Sequence, residues 1–394
     1  MPGPGSYWIG KEEMEQIMDV MKTGYLSRYG DLSDPSFTKK VYTLEKEYAA
    51  YCGVPYALAT SSGTGSILIS LIAMGLKPGD EVIVPAYTFV ATYTSCIFAG
   101  CIPVLAEIDE SLTLNPADIE HRITPRTKAI IPVHMLGNPC NMDAIMPIAK
   151  KHNLLVLEDA CQAGGAVYKG KKLGTFGQMG AFSLNVYKTI TAGDGGLIIT
   201  SDEELYQRAF GLHDQGHKPL RAGLEVGKRS ILGLNFRVNE LTGAVALAQL
   251  RKIDRITSTL REKKVKLKKA IAGCGPFHFR MINDETGECG TLCSVIFDRK
   301  EKAQIVASKL GTKTVDQSGW HVYANMEHVL NYLKERGLPH SPGAYPVTDD
   351  ILSRTINISV GVVDAGLGSA WGINIDSNDE EINAKAEEFR NACK

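Results

Sequence analysis

The alternation of short apolar runs with amphipathic segments between residues 55 and 160 constrains the fold of this chain more than any other feature. The apolar runs are bounded by Gly, Pro or Asp and lie at residues 81–84, 102–107, 129–133 and 154–158. Amphipathic stretches such as residues 142–152 separate them. Short buried strands that alternate with helices are typical of a parallel sheet whose faces are covered by helices. The sequence therefore predicts an α/β fold.

Two further strand-like runs, residues 180–184 and 196–200, enclose the segment NVYKTITAGDG. Glycines and polar residues between two apolar runs predict a loop or tight turn that joins two strands. Loops at the ends of strands are where α/β folds place their chemistry. We therefore expect functional residues between positions 185 and 195.

The chain changes character after about residue 250, and we place a domain boundary there. A long charged helical stretch at residues 252–271 is followed by a strand-like run at 292–297 and a helix near 301–310. Residues 318–353 are rich in Gly, Pro, His and aromatics without clean periodicity, and we expect them to line a substrate pocket. The predicted organisation is an N-terminal segment packed on the body (1–24), a large domain (25–250) and a smaller α+β domain (251–394).

Composition argues against several classes of partner. Lys and Arg (43 residues) nearly balance Asp and Glu (44 residues), so no overall charge favours nucleic acid or a membrane surface. The first residues contain no apolar signal-peptide core, and no uninterrupted apolar stretch is long enough to span a bilayer, which predicts a cytoplasmic location. The nine cysteines lack the spacing of a zinc site, so we expect reduced thiols and no metal.

The first motif with candidate chemistry is SSGTGS at residues 61–66, directly before an apolar helical run. Small residues at the start of a helix leave backbone N–H groups open, and together with the helix dipole they form a cradle for phosphate. A simple serine cap on the helix explains the same residues.

The second motif is an apolar strand that ends in Glu158 and Asp159, followed by small residues up to Gly165. An aspartate at the carboxyl end of a strand points into the cleft and can hold a positively charged ring nitrogen. The alternative is an aspartate that only caps a helix.

The third motif places Lys188 on a turn beside a glycine cluster, residues 193–196. A lysine that is partly removed from water has a lowered pKa and becomes a nucleophile that forms Schiff bases. Most lysines are exposed to water and have no such role. The third motif therefore indicates a Schiff-base lysine only in combination with the other two.

Together the three motifs resemble the DegT/DnrJ/EryC1/StrS sugar aminotransferases, a family of fold type I pyridoxal-phosphate enzymes. The resemblance runs from about residue 25 to about residue 255. It includes PGDEVIVPAYTFVAT at 78–92, ITPRTKAI at 123–130 and LGLNFR at 232–237, with Glu240 just beyond. It implies the fold of the type I transferases, with a mostly parallel seven-stranded sheet between helices in the large domain.

The resemblance implies catalytic roles for two residues and a cofactor, pyridoxal 5′-phosphate. Lys188 forms the Schiff base with the cofactor, and Asp159 pairs with the pyridine nitrogen. The pairing keeps the ring protonated, and a protonated ring stabilises the carbanion formed during transamination.

The resemblance also implies the remaining cofactor contacts. The phosphate is held by Gly63, Thr64, Gly65 and Ser183. Phe89 stacks on one face of the ring, and Gln162 faces the ring near its phenolic oxygen. Asn235 matches a family residue that reaches the phosphate of the neighbouring subunit's cofactor, which implies a homodimer with shared active sites.

The resemblance implies transfer of an amino group from an amino acid, usually L-glutamate, to a keto or aldehyde sugar during amino-sugar and lipopolysaccharide biosynthesis. Some dehydratases of the family carry His in place of Lys188, so the lysine favours transamination. Several strings look similar to the branch that aminates octulosonate (8-amino-Kdo synthesis) or 3-oxo-glucose phosphate. Candidate substrate contacts, chosen by location, are Tyr187, Trp320, His321 and Tyr323.

Other classes of protein fit less well. A silent cofactor-binding regulatory protein needs neither Lys188 nor Asp159. The spacing of Gly165, Gly170 and Lys171 matches a phosphate-binding P-loop, but the next residue is Lys172 and not Ser or Thr. The glycines between 366 and 372 do not fit the dinucleotide-binding fingerprint.

Overall fold

The computed structural model describes residues 2–219 and 231–394 of the chain. Nine strands precede residue 220: β1 (Tyr56–Thr60), β2 (Glu81–Pro85), β3 (Ile102–Ala106), β4 (Thr127–Ile130), β5 (Leu155–Asp159), β6 (Val167–Tyr168), β7 (Lys171–Lys172), β8 (Met179–Ser183) and β9 (Gly196–Thr200). Three follow residue 230: β10 (Phe277–Phe279), β11 (Leu292–Phe297) and β12 (Thr355–Ser359). The strands predicted from apolar runs between residues 81 and 200 are all present, with ends shifted by at most three residues.

Helices separate most of these strands. Before residue 220 they are α1 (Pro4–Tyr7), α2 (Lys11–Thr23), α3 (Lys40–Cys52), α4 (Gly63–Ala73), α5 (Val90–Phe98), α6 (Pro116–Arg122), α7 (Met142–Lys151) and α8 (Glu203–His213). After residue 230 they are α9 (Glu240–Leu250), α10 (Ile253–Ile271), α11 (Lys300–Lys309), α12 (Glu327–Glu335), α13 (Pro346–Ser353) and α14 (Asp379–Cys393). Short 3₁₀ turns lie at Met135–Gly137, Val315–Gln317, Tyr323–Asn325 and Ala365–Leu367.

The main sheet has seven strands in the order β1-β9-β8-β5-β4-β2-β3. Strands β3, β2, β4, β5 and β8 pair in parallel, and β9 runs antiparallel to both of its neighbours. Because β9 follows β8 through a short loop and returns beside it, this pair is antiparallel. The predicted α/β class with a mostly parallel seven-stranded sheet is confirmed.

The C-terminal part contains a second, antiparallel sheet in the order β10-β11-β12. Helix α10 buries an apolar stripe that includes Ile256, Leu260 and Leu267, as the period of a helix requires. Most of its charged residues lie outside this stripe, but Lys264 is buried and pairs with Glu288. The boundary predicted near residue 250 falls where α9 gives way to α10, and the division into domains stays a prediction.

The carboxyl ends of β1, β2, β5 and β8 lie at one edge of the main sheet, as expected where strands run in the same direction. Each is followed by a segment that carries one of the motifs, so the fold brings the motifs together. None of the helices in the described ranges is long and apolar enough to cross a membrane.

Candidate active site

A cavity of about 580 Å³ opens at this edge of the sheet. It is bounded on one side by the ends of the parallel strands and on the other by residues from the C-terminal part. The sequence-predicted residues that line it are Gly63, Thr64, Phe89, Asp159, Gln162, Ser183, Tyr187, Lys188, Trp320 and His321. Segments from all three motifs therefore share one cavity.

Lys188 lies on a loop that joins β8 to β9 and is held from several directions. Its backbone N–H donates to Asn185, and the Thr191 hydroxyl donates to the Leu184 carbonyl. The N-terminal turn packs on the same loop, since the Gly5 N–H donates to the Lys188 carbonyl and the Ser6 hydroxyl donates to the Val186 carbonyl. The backbone that carries the lysine is thus fixed on both sides.

The environment of Lys188 suits a nucleophile. Burial lowers the pKa of the Lys188 ammonium, and the negative charges of Asp159 and Asp364 act against this shift. A lowered pKa increases the fraction of neutral amine near neutral pH, and only the neutral amine attacks a carbonyl carbon.

Asp159 is the last residue of β5 and is almost completely buried. Its Oδ2 accepts a hydrogen bond from the Thr92 hydroxyl at 2.8 Å, and its Oδ1 accepts one from the Cys161 N–H at 3.1 Å. Thr92 is in turn 2.8 Å from the hydroxyl of Thr88. These contacts fix the carboxylate in a cavity where a cationic ring nitrogen is its natural partner.

The start of α4 forms the cradle predicted from the first motif. Ser62 caps the helix, because its Oγ accepts a hydrogen bond from the Gly65 N–H at 2.9 Å. A Cβ added at Gly63 would lie 2.8 Å from the Cβ of Ser183 and 2.9 Å from the sulfur of Cys161. Glycine is therefore required by close packing, and the first N–H groups of the helix stay available to an anion.

Gln162 is held by the strained turn at residues 135–137, which follows strand β4. Its Oε1 accepts a hydrogen bond from the Leu136 N–H at 3.0 Å. Leu136 has φ of +58°, which is unusual for a leucine. The buried Arg280 donates to the carbonyls of Met135 and Leu136, so the small antiparallel sheet braces this turn.

The opposite wall includes Trp320 and His321, whose segment lies alongside residues 86–90. The Thr88 and Val90 N–H groups donate to the carbonyls of His321 and Trp320, each at 2.9 Å. The ring of His321 lies 5.3 Å from the ring of Phe89. The segment at residues 318–353, which has no clean periodicity, thus contributes residues beside Phe89, the residue predicted to stack on the cofactor ring.

The protonation of His321 follows from its contacts. Ser318 donates its hydroxyl hydrogen to the Gly366 carbonyl, so it accepts from Nδ1 of His321 at 3.0 Å. The proton of the neutral ring therefore sits on Nδ1, and Nε2 has an open lone pair. Burial, with a further effect of the Lys188 charge, lowers the pKa of His321 to about 3. The ring is uncharged at neutral pH.

Three of the predicted residues do not line the cavity. Gly65 lies one turn into α4, against the ring of Phe236. Tyr323 is buried, and its hydroxyl donates to Asp349 at 2.9 Å. Asn235 is exposed, and its side-chain oxygen accepts from the Arg237 N–H.

Among the lining residues that sequence reasoning missed are Thr88, Thr92, Asp364 and Leu367. The two threonines lie inside the string at 78–92. They are four residues apart and flank the start of α5 at Val90, and this spacing could have indicated that their hydroxyls lie close together. Asp364 and Leu367 come from a loop near the C-terminus, and no local pattern marked them. Within the described ranges, no group of three or more His, Cys, Asp or Glu residues is arranged to hold a metal ion.

The fold and this cavity define a pyridoxal-phosphate enzyme of fold type I, because the lysine, the buried aspartate and the helix start fit the imine, ring nitrogen and phosphate of that cofactor. The chain belongs to the DegT/DnrJ/EryC1/StrS aminotransferase family, whose sequence profile matches residues 8–363. The predicted family is therefore confirmed, and so is pyridoxal 5′-phosphate as its cofactor.

Individual relatives agree with the assignment. The chain is 41% identical to the GDP-perosamine synthase of Caulobacter vibrioides over 61% of this chain and 62% of that protein. It is 31% identical to the spore coat polysaccharide biosynthesis protein SpsC of Bacillus subtilis over 89% of this chain and 90% of SpsC. The structure of NtdA from Bacillus subtilis, with bound cofactor PMP, matches with a TM-score of 0.77 at 25% identity, covering 98% of this chain and 84% of that one.

Proposed function

We propose that this chain is an aminotransferase that moves an amino group from an amino acid, L-glutamate by the family pattern, to a keto or aldehyde sugar in amino-sugar biosynthesis. The observation that carries the proposal is that Lys188 and the buried Asp159 line one cavity with the capped start of α4. The named functions of the polysaccharide-related relatives support a sugar acceptor.

Pyridoxal phosphate supplies an electron sink that stabilises negative charge at the carbon from which a proton is removed. Asp159 holds the ring nitrogen and maintains its charge, while Thr92 and the Cys161 N–H keep the carboxylate oriented. The start of α4 and Ser183 hold the phosphate, and Phe89 covers one face of the ring.

Lys188 then has two tasks at one atom, Nζ. Its amine would hold the cofactor, and it would also accept and return a proton as a general base and acid. The lowered pKa of Lys188 supports both tasks, because the amine is a better nucleophile and can be deprotonated near neutral pH.

A homodimer with shared active sites belongs to the same proposal. Asn235 is exposed, and beside it Leu232 and Leu234 are 92% and 60% exposed, which is unusual for leucine. A second copy that covers these leucines would bring Asn235 towards its cofactor phosphate. We also place the protein in the cytoplasm, since its nine cysteines are all free thiols, as a reducing compartment maintains them.

The alternatives are weaker. A dehydratase of the family is disfavoured by Lys188, and a silent binder is disfavoured by the fixed Asp159 beside it. Resemblance to the octulosonate or 3-oxo-glucose-phosphate branch stays a prediction. The relative from Caulobacter is named for a GDP-linked sugar.

The test is amino transfer itself. Purified enzyme with cofactor is incubated with ¹⁵N-labelled L-glutamate and a panel of acceptors that includes nucleotide-linked, phosphorylated and free keto sugars. The proposal expects 2-oxoglutarate to form in step with a ¹⁵N-labelled amino sugar for one acceptor class. Loss of water from the sugar without ¹⁵N incorporation would instead establish the dehydratase.

A further inference from the structure

Asp364 is the one carboxylate that the C-terminal loops contribute to the cavity within the described residues. Its Oδ1 accepts a hydrogen bond from the Gly366 N–H at 2.8 Å. Its backbone carbonyl accepts from the N–H groups of Leu367 and Ser369. The loop is therefore fixed, and Asp364 cannot swing freely in solution.

The second oxygen of Asp364, Oδ2, makes no hydrogen bond or ion pair with any residue in 2–219 or 231–394. The side chain is half-buried, and it lines the same cavity as Lys188. The oxygen without a protein donor is thus available to a cation in the cavity. The charge of Asp364 also raises the pKa of Lys188, against the effect of burial.

Several other titratable groups line the cavity, and each is uncharged, exposed or already paired, so Asp364 is the remaining candidate for a charge that acts on Lys188. They are Asp159, Cys161, Tyr187, Asp194 and His321. Burial raises the pKa of the Cys161 thiol and lowers that of His321 to about 3, so both are uncharged at neutral pH. Tyr187 is a largely exposed phenol.

The two remaining carboxylates are already engaged. Asp159 has a hydrogen-bond donor on each oxygen and is assigned to the pyridine nitrogen. Asp194 is exposed and accepts from the side-chain amide of Asn185 at 3.1 Å, so water and salt screen its charge.

We propose that Asp364 is a positioning residue whose negative charge, in the cavity that Lys188 also lines, keeps the Lys188 nitrogen positively charged when the cofactor is bound. The inference rests on the proposed function in so far as Lys188 carries the cofactor. A positive charge on this nitrogen makes the adjacent carbon more electrophilic towards the amine of the donor. The loop at 362–369 thereby contributes to chemistry as well as to the shape of the pocket.

The test is a pH titration of the absorbance of the holoenzyme, in which the protonated and neutral Schiff bases have distinct bands. Asp364→Asn keeps an oxygen that accepts from the Gly366 N–H but removes the charge. The midpoint of the titration is expected to fall by about one pH unit or more, since the loss of a nearby opposite charge has effects of this size. Asp364→Glu is expected to restore most of the shift.

Asp194→Asn is the matched control, because it removes the same charge from the same cavity at an exposed position. Its midpoint is expected to stay close to that of wild type. Asp364→Ser, which can also cap the Gly366 N–H, replaces Asp364→Asn if that variant fails to bind cofactor. A midpoint that is unchanged without the charge at 364, or that moves equally in Asp194→Asn, overturns the proposal.

The readout is independent of the proposed function. The titration needs only bound cofactor, and transamination is measured separately with L-glutamate. A wild-type enzyme that titrates but never transfers an amino group rejects the proposed function and leaves the assignment of Asp364 standing.

Discussion

The two walls of the cavity are built in different ways. The cofactor wall comes from short continuous segments at strand ends, residues 62–64, 159–162 and 183–195. The outer wall comes from residues 320–321 and 362–367, which are held by backbone contacts to segments far away in the chain. The cofactor wall has the charged groups for chemistry, whereas the outer wall combines exposed Trp320, neutral His321 and Asp364. We infer that the cofactor wall supplies the reacting groups, whereas Trp320 and His321 of the outer wall determine which substrate enters and Asp364 adds its charge to the cavity.

The largest effect is expected on the cofactor wall. Asp159→Asn removes the charge that pairs with the ring nitrogen, and transamination is expected to fall by about 10²- to 10³-fold. Thr92→Val keeps the shape but removes the hydrogen bond to Asp159, and its rate is expected to fall by about 10-fold. Single-turnover kinetics with L-glutamate measure both. Equal rates in wild type and Asp159→Asn would contradict the inference that the charged groups of the cofactor wall carry the chemistry.

The phosphate cradle gives the next effect. Gly63→Ala introduces a methyl group within 2.9 Å of Ser183 and Cys161, and overpacking of this kind costs about 1–3 kcal/mol. Cofactor affinity is therefore expected to fall by about 10- to 100-fold. Gly164→Ala is the control, because an added Cβ there meets no atom within 4 Å. A titration of apoenzyme with cofactor compares the two, and similar losses in both would contradict the packing argument.

The neutral state of His321 makes the stability of the outer wall depend on pH. In the unfolded chain this histidine takes up a proton near its ordinary pKa of 6.5, while in the folded protein its pKa is about 3. Its contribution is complete above pH 6.5 and is lost as the pH falls towards 3. Between pH 7 and pH 5 the loss is about 2 kcal/mol.

His321→Gln cannot take up this proton. Denaturant unfolding at the two pH values is expected to show a smaller loss of stability in the variant, by about 2 kcal/mol. An identical pH dependence in wild type and variant would mean that folding leaves the pKa of His321 unchanged.

The smallest effect is expected from Trp320, which is 57% exposed at the mouth of the cavity. Trp320→Ala is expected to raise the KM for the sugar by about 2- to 10-fold, since an aromatic contact is worth about 0.5–1.5 kcal/mol. The half-reaction with the amino donor is expected to change by less than about twofold. An equal loss in both half-reactions would show that the outer wall serves the chemistry in general.

The same division explains what could be predicted from the sequence. Lys188 and Asp159 lie in local motifs whose strands, turns and spacing are readable along the chain. Asp364 could not be predicted, because it reaches the cavity only through the packing of a loop some 180 residues beyond Lys188 in sequence. Trp320 and His321 were chosen only by location, and Tyr323, chosen in the same way, points to Asp349 and away from the cavity.

The most direct measurement is the absorbance spectrum of purified protein with pyridoxal phosphate, before and after L-glutamate, beside a Lys188→Ala variant. The account predicts a Schiff-base band in wild type that glutamate converts to the pyridoxamine band, and neither band change in the variant. A wild-type protein that forms no lysine-dependent band, or a variant that reacts with glutamate as wild type does, would contradict the central role of Lys188.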